Sequence, residues 1–85
     1  MSHVAMHISI QSIQSTLFEG EAEKVIAATP QGQMTVLDRH LPLISRINGP
    51  SVTITARDGR QSDIPLAGGF LEVRPGSRVV ILAEV

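Results

Sequence analysis

A stretch near the middle of the chain alternates between apolar and polar side chains and then meets a turn signal. Val52 and Ile54 are apolar, threonines stand between and after them, and Asp58-Gly59 follows. A period of two places alternate side chains on opposite faces of a β-strand, and Asp-Gly between two such runs is a strong hairpin signal. We therefore predict a hairpin here, with the threonines facing solvent and a returning strand over residues 60–66.

The rest of the chain repeats this pattern of short β-prone runs separated by turn residues. Pro75-Gly76-Ser77 predicts a second hairpin, whereas Asn48-Gly49-Pro50 and Glu19-Gly20-Glu21 are predicted to separate further strands. No stretch has the periodicity of a helix. The spacing of the turn signals predicts roughly eight to ten short strands, packed as two sheets face to face because no helix covers them.

The composition narrows the classes of function. The 85 residues are expected to form a single domain, 1–85, and no apolar run approaches the roughly 20 residues that span a bilayer. Phe18 and Phe70 are the only aromatic residues, so the core must be aliphatic, and Phe70 is expected inside it. The net charge of −1 argues against nucleic-acid binding, and the absence of cysteine excludes disulfides and thiol nucleophiles.

An Asp-Arg-His triplet, residues 38–40, is either a chemical site or a polar corner where a strand ends. By residue type alone, Asp38, His40 and Ser45 could form a hydrolytic triad. All three lie on one short stretch, however, and strand alternation would turn Ser45 away from the other two. No catalytic site is predicted.

No metal or cofactor site emerges from the other candidates. His3 and His7 would lie roughly 13 Å apart along a strand, too far to share one metal ion. Glutamates alternate over residues 19–23, which is typical of a solvated strand edge. The pair Gly68-Gly69 lacks the spacing of a phosphate-binding loop and instead predicts a bulge or a positive-φ entry into the next strand.

Several motifs recur in order along nearly the whole chain. They are Leu17-Phe18-x-Gly20-Glu21 with Val25, then Gly32-x-x-x-Val36-Leu37-x-x-His40-x-Pro42-Leu43, then Gly49, and finally Gly68-Gly69-Phe70-x-Glu72-Val73. Their order and spacing resemble the N-terminal β-sandwich domain of the epsilon subunit of F-type ATP synthases, from about His7 to Val85. The resemblance implies an all-β sandwich of two five-stranded sheets, about ten strands in all.

The resemblance also implies a non-catalytic rotor subunit in the central stalk, peripheral at the cytoplasmic face of the plasma membrane or another energy-transducing membrane. In that family the domain packs against the gamma subunit and rests on the c-ring, coupling ion translocation to ATP synthesis. No cofactor, nucleotide, nucleic acid or direct membrane insertion is expected. The implied contact residues are His40, Leu41, Pro42 and Leu43 for gamma, and Gln31, Gly32, Gln33 and Met34 for the c-ring.

The chain departs from the family pattern in the two contact loops and near its end. The family usually has Pro-Gly where this chain has Asp38-Arg39, and often a carboxylate at the position of Gln33. A loop without those two backbone-special residues is free to follow a different path. The usual member also continues into a helical hairpin, whereas this sequence stops at Val85, so we expect neither ATP binding nor inhibition by inserted helices.

Two other functions compete with the rotor interpretation. One is a free-standing β-sandwich that binds a protein or a small ligand, and the other is a small hydrolase that uses His40. The rotor interpretation requires one apolar surface patch that includes part of Leu41–Leu43 and the neighbouring strand, whereas scattered exposed apolar residues would argue against it.

Overall fold

A computed structural model describes residues 5–85, and these residues form eight β-strands and no helix. This confirms the all-β prediction, with slightly fewer strands than the expected ten. Within this part of the chain, no helix has the length and apolarity needed to cross a membrane. The strands are β1 (Met6–Gln11), β2 (Thr16–Ala22), β3 (Lys24–Thr29), β4 (Gly32–Leu37), β5 (Leu43–Thr55), β6 (Gln61–Pro65), β7 (Gly68–Arg74) and β8 (Arg78–Glu84).

Strand β5 belongs to both layers of the sandwich. Its first half pairs with β7, and its second half pairs with β3 and β6. The larger layer therefore runs β2-β1-β8-β7-β5, and the smaller layer contains β4, β3, the rest of β5 and β6. Strands β1 and β8 are parallel neighbours, and the other pairs among residues 5–85 are antiparallel.

Two segments predicted as turns lie inside strands, which explains the lower strand count. At Asn48-Gly49-Pro50 the chain continues as β5, and the Gly49 N–H donates to the Ala67 carbonyl over 3.1 Å. The Glu19-Gly20-Glu21 segment continues β2, because it pairs residue by residue with β1. Both predictions were wrong because hydrogen bonds to distant residues override a local turn signal.

The two predicted hairpins are present. Thr55 pairs with Gln61 across the Asp-Gly turn, and Arg74 pairs with Arg78 across Pro75-Gly76-Ser77. Residues 56–60 connect the two strands, so the loop is longer than the Asp-Gly pair, and Gly59 has a φ of 91°. Thr55 was expected to face solvent but is only 9% exposed, so this part of the prediction was wrong.

The core is aliphatic, as predicted, and forms one cluster between the layers. Residues 79–82 on β8 are all apolar, and they differ in burial. Val79 and Ile81 are buried, but Leu82 is 60% exposed, because no described element covers the outer face of β8. The buried apolar residues are Met6, Ile8, Ile10, Ala22, Val25, Ala27, Val36, Ile47, Val52, Ile54, Leu66, Leu71, Val73, Val79, Ile81 and Ala83.

Gly69 confirms the predicted positive-φ entry into β7. Its φ is 148°, and a Cβ atom there would lie 2.1 Å from the Leu82 carbonyl oxygen of the paired strand. Because the obstructing atom is backbone, it cannot move without disturbing the pairing of β7 with β8. The double glycine is therefore a packing requirement of the larger layer.

We expect Gly69→Ala to lower the free energy of unfolding by about 2–4 kcal/mol, through backbone strain and displacement of β8. Urea titration followed by circular dichroism measures this loss. Gly20→Ala is the matched control, since a Cβ there would make an ordinary 3.5 Å contact with Phe18. Equal stabilities of the two variants would contradict the close approach at Gly69.

Candidate partner interface

The Asp-Arg-His triplet forms a polar corner between β4 and β5. The Asp38 carboxylate accepts a hydrogen bond from the Ser77 hydroxyl. The backbone N–H of His40 donates to the Leu37 carbonyl over 3.1 Å. Arg39 has a φ of 65°, the left-handed conformation that glycine adopts most easily. The loop thus contains a left-handed residue, Arg39. The sequence did not predict this, because the loop has no glycine.

The corner is not assembled as a hydrolytic site. The Ser45 hydroxyl donates to the Arg46 carbonyl over 3.0 Å, and His40 Nδ1 lies 2.9 Å from the Leu41 carbonyl oxygen. Asp38 is bonded to Ser77 instead of the imidazole. The three groups of the imagined triad therefore each bond to a different partner.

Only one of the two histidines considered for metal binding lies within residues 5–85. His3 lies outside the described residues, and His7 Nε2 lies 3.2 Å from a Glu19 carboxylate oxygen on the edge strand β2. Among residues 5–85, no three His, Asp or Glu side chains are grouped closely enough to hold a metal ion.

The residues predicted to contact gamma differ in exposure. Leu41 is 78% exposed and Pro42 is also exposed, so both side chains are available to a partner. His40 is partly buried, and Leu43 is partly buried and packs against the core. An Asp at Leu43 would therefore disturb the fold as well as any contact, which makes Leu41 the better residue to probe.

An apolar strip lies beside this loop on the outer face of the larger layer, and the contact residues predicted from the sequence include none of its members. Ile44 is 72% exposed on β5, and Phe70 on β7 is its diagonal neighbour, since Ile44 pairs with Glu72. Phe70 in turn pairs with Leu82 on β8. We call Ile44, Phe70 and Leu82 the apolar strip.

Phe70 was expected in the core, and this prediction was wrong. The ring is 48% exposed, and the Arg46 guanidinium lies over it, 5.4 Å from its centroid. Leu71 and Val73 occupy the inward positions of β7, so alternation turns Phe70 outward with Glu72. In the sequence, this orientation was indicated by Glu72, which stands two residues after Phe70 and therefore lies on the same face of the strand.

A shallow cavity adjoins the far end of the apolar strip. Its volume is about 640 Å³, and it lies between Phe70, Leu82, the β1–β2 loop and the last residue, Val85. Ile13 in that loop is fully exposed. The exposed apolar residues of this layer therefore continue from the β4–β5 loop to the β1–β2 loop.

Of the residues predicted to contact the c-ring, Gln31 lies in the β3–β4 turn, and Gly32, Gln33 and Met34 begin β4. The Thr29 hydroxyl donates to the Gly32 carbonyl over 2.7 Å and accepts the Gln31 N–H at 3.1 Å. Gly32 has a φ of 125°, and Gln31, Gly32 and Gln33 are exposed. Met34 is different, because its side chain packs against the core.

The two predicted contact segments lie at opposite ends of β4. Thr29 pairs with Gly32 at one end, and Lys24 pairs with Leu37 at the other. A strand rises about 3.3 Å per residue, so the two ends are roughly 17 Å apart. The same short strand therefore separates two exposed segments by a fixed distance.

We expect Phe70→Ala to cost only about 1–2 kcal/mol of unfolding free energy, because nearly half of the ring is already in water. Leu71→Ala, one residue along and fully buried, should cost about 2–5 kcal/mol. Urea titration of the two variants compares them directly. A loss at Phe70 as large as that at Leu71 would show that the ring is part of the core.

The sequence matches the family model "ATP synthase, Delta/Epsilon chain, beta-sandwich domain" over residues 5–85. It is 40% identical over 79 residues to the ATP synthase epsilon chain of Bordetella parapertussis, covering 93% of this chain and 56% of that protein. It is 37% identical over 76 residues to the ATP synthase epsilon chain of Delftia acidovorans, covering 89% of this chain and 55% of that protein. The chain thus spans little more than half the length of these relatives.

Solved structures share the fold at much lower identity. A chain in the Euglena gracilis mitochondrial ATP synthase structure, described as OSCP/F1/c-ring, superposes with a TM-score of 0.84 at 17% identity, covering 93% of this chain and 50% of that one. A chain in the Tetrahymena thermophila mitochondrial ATP synthase central stalk and c-ring structure gives 0.77 at 10% identity, covering 94% and 63%. Because the family model matches residues 5–85 of the 85 in this chain, the chain belongs to the family of ATP synthase delta/epsilon chains and has that family's β-sandwich domain.

Proposed function

We propose that this chain is a non-catalytic subunit of the central stalk of an F-type ATP synthase, linking the gamma subunit to the c-ring. The family match over residues 5–85 carries the proposal. In this role the chain turns with gamma and the c-ring, and it contributes to coupling ion translocation to ATP synthesis. It is peripheral at the cytoplasmic face of an energy-transducing membrane, where it contacts the c-ring and not the lipid.

The gamma contact is proposed at the β4–β5 loop, with His40, Leu41, Pro42 and Leu43, and it extends along the apolar strip. Leu41 and Ile44 are exposed on either side of the start of β5, and Phe70 and Leu82 continue the apolar surface across the next strands. An exposed apolar surface that joins the loop to the neighbouring strands supports the proposed gamma contact. Arg46 pairs with Phe70 and Glu72 pairs with Ile44, so charged side chains stand beside the apolar ones, and protein interfaces combine both kinds of group.

The c-ring contact is proposed at the β3–β4 turn, with Gln31, Gly32, Gln33 and Met34. The turn is polar and exposed, and it is held by hydrogen bonds from Thr29. The turn and the β4–β5 loop lie at opposite ends of β4. This arrangement supports the proposal that the chain contacts two partners at once. Met34 supports the turn from below by packing on the core.

The proposal includes no catalytic, nucleotide-binding or cofactor-binding role for residues 5–85. The hydrolase alternative depends on His40 acting on Ser45, and both groups bond elsewhere. The ligand-binding alternative would use an open cavity such as the one beside Phe70, and that cavity adjoins the proposed protein interface. The rotor role therefore accounts for more of the surface than either alternative.

The gamma contact is tested by titrating purified gamma subunit from the same genome with this chain, using calorimetry at physiological salt. We expect saturable one-to-one binding, and Leu41→Asp should weaken it by more than about 2 kcal/mol, as hot-spot substitutions do. Ser62→Asp is the control, since it adds the same charge to an exposed side chain on β6 in the other layer. No binding by the folded wild-type chain, or equal losses in both variants, would contradict the proposed gamma contact.

The c-ring contact is tested with the complex of this chain and gamma, captured on purified c-ring in detergent. Gln31→Arg should reduce retention on the c-ring roughly tenfold, equivalent to about 1.4 kcal/mol, because it enlarges an exposed turn residue at the proposed contact. The same variant should bind gamma with unchanged affinity. Unchanged retention, or a loss of gamma binding, would show that the β3–β4 turn has another role.

A further inference from the structure

One side-chain contact fixes the β4–β5 loop to the β7–β8 turn. The Ser77 hydroxyl donates to the Asp38 carboxylate, and the two residues are 39 positions apart in the sequence. The Asp38 side chain is 24% exposed, so water competes only weakly for this bond. The contact therefore joins two segments that the sheet itself does not hydrogen-bond together.

The Ser77 end of this contact is held firmly in place. The Ser77 carbonyl accepts the His7 N–H of β1 over 2.9 Å, and the turn that contains Ser77 is closed by the pairing of Arg74 with Arg78. Ser77 also has a left-handed φ of 57°. Its hydroxyl is thus presented from a turn that β1, β7 and β8 fix together.

The Asp38 end of the contact lies where the loop needs support. Arg39, the next residue, is left-handed without being glycine, a conformation that is intrinsically disfavoured and persists only when its surroundings hold it. The bond between Asp38 and Ser77 supplies that support immediately before the turn. Leu41 and Pro42 follow, both exposed.

We propose that Asp38 and Ser77 form a latch that positions Leu41 and Pro42 for the gamma subunit. This inference rests on the proposed function, and it assigns the two latch residues a positioning role without contact to the partner. A loop that is already ordered in the free chain binds without losing further conformational freedom, and this raises its affinity. Without the latch, the loop samples other conformations and only a fraction of chains can bind.

Ser77→Ala and Asp38→Ala each remove the latch. Both variants retain a Cβ atom, at left-handed Ser77 and at Asp38, which precedes left-handed Arg39. We expect each variant to bind gamma about three- to tenfold more weakly, the range for one lost hydrogen bond. Hydrogen exchange of the free chain should become faster at the His40 amide, with β7 and β8 still protected. The double variant should bind no more weakly than either single variant, since one bond links the two residues.

Two further variants separate the latch from other effects. Asp38→Asn retains a carbonyl oxygen that can accept from Ser77, so it should keep near-wild-type affinity and loop protection. Thr53→Val removes a similar bond, from the Thr53 hydroxyl to the Asp63 carboxylate at 2.7 Å, between β5 and β6 in the other layer. Neither gamma affinity nor exchange at His40 should change in Thr53→Val.

Wild-type affinity and wild-type exchange at His40 in Ser77→Ala would overturn the latch. A loss in Asp38→Asn as large as that in Asp38→Ala would also overturn it, because the charge of Asp38, acting on gamma or on Arg39 Nε at 3.9 Å, would then matter in place of the hydrogen bond to Ser77. If the wild-type chain does not bind gamma at all, the proposed function fails together with the partner role of the latch. In that case the exchange data on the free chain still decide whether the bond orders the loop.

Discussion

The structure depends on the hydrogen bonds that carry β5 from one layer of the sandwich into the other. At Gly49 the strand lies so close to the following segment that a Cβ atom would be 2.4 Å from the Leu66 carbonyl oxygen. The Leu66 N–H in turn donates to the Pro50 carbonyl over 3.0 Å. Because one strand pairs with both layers, a register shift in β5 would turn Ile47 and Val52 out of the core together.

This shared strand also arranges the surface that we propose for binding. Where β5 begins, alternation places Leu43 against the core and Ile44 in solvent, and the loop that precedes it exposes Leu41. The pairing of β5 with β7 then sets Phe70 beside Ile44 on the outer face. The positions of the β4–β5 loop and of the apolar strip therefore both depend on the pairing of β5 with β7. A shift in this pairing would displace both.

The sequence allowed the fold class, the two hairpins, the aliphatic core and the special backbone at Gly69 to be predicted, because each depends on local chemistry. It did not reveal that β5 is continuous, since the bonds at Gly49 reach residues far along the chain. Phe70 was placed in the core from its apolar character, although alternation with Leu71 places it outside. The bond between Asp38 and Ser77 had no signal in the sequence, because nothing in the spacing of two residues so far apart indicates contact.

The position of β8 has a consequence for how the domain is made. β8 lies between β1 and β7 in the larger layer, and its parallel pairing with β1 joins opposite ends of the described chain. Until β8 has been synthesised, β1 and β7 each have an open edge, and the core lacks Val79 and Ile81. Such a topology has high contact order and folds slowly. During synthesis the nascent chain therefore presents unpaired edges on β1 and β7, and unpaired edges favour aggregation until β8 fills the gap.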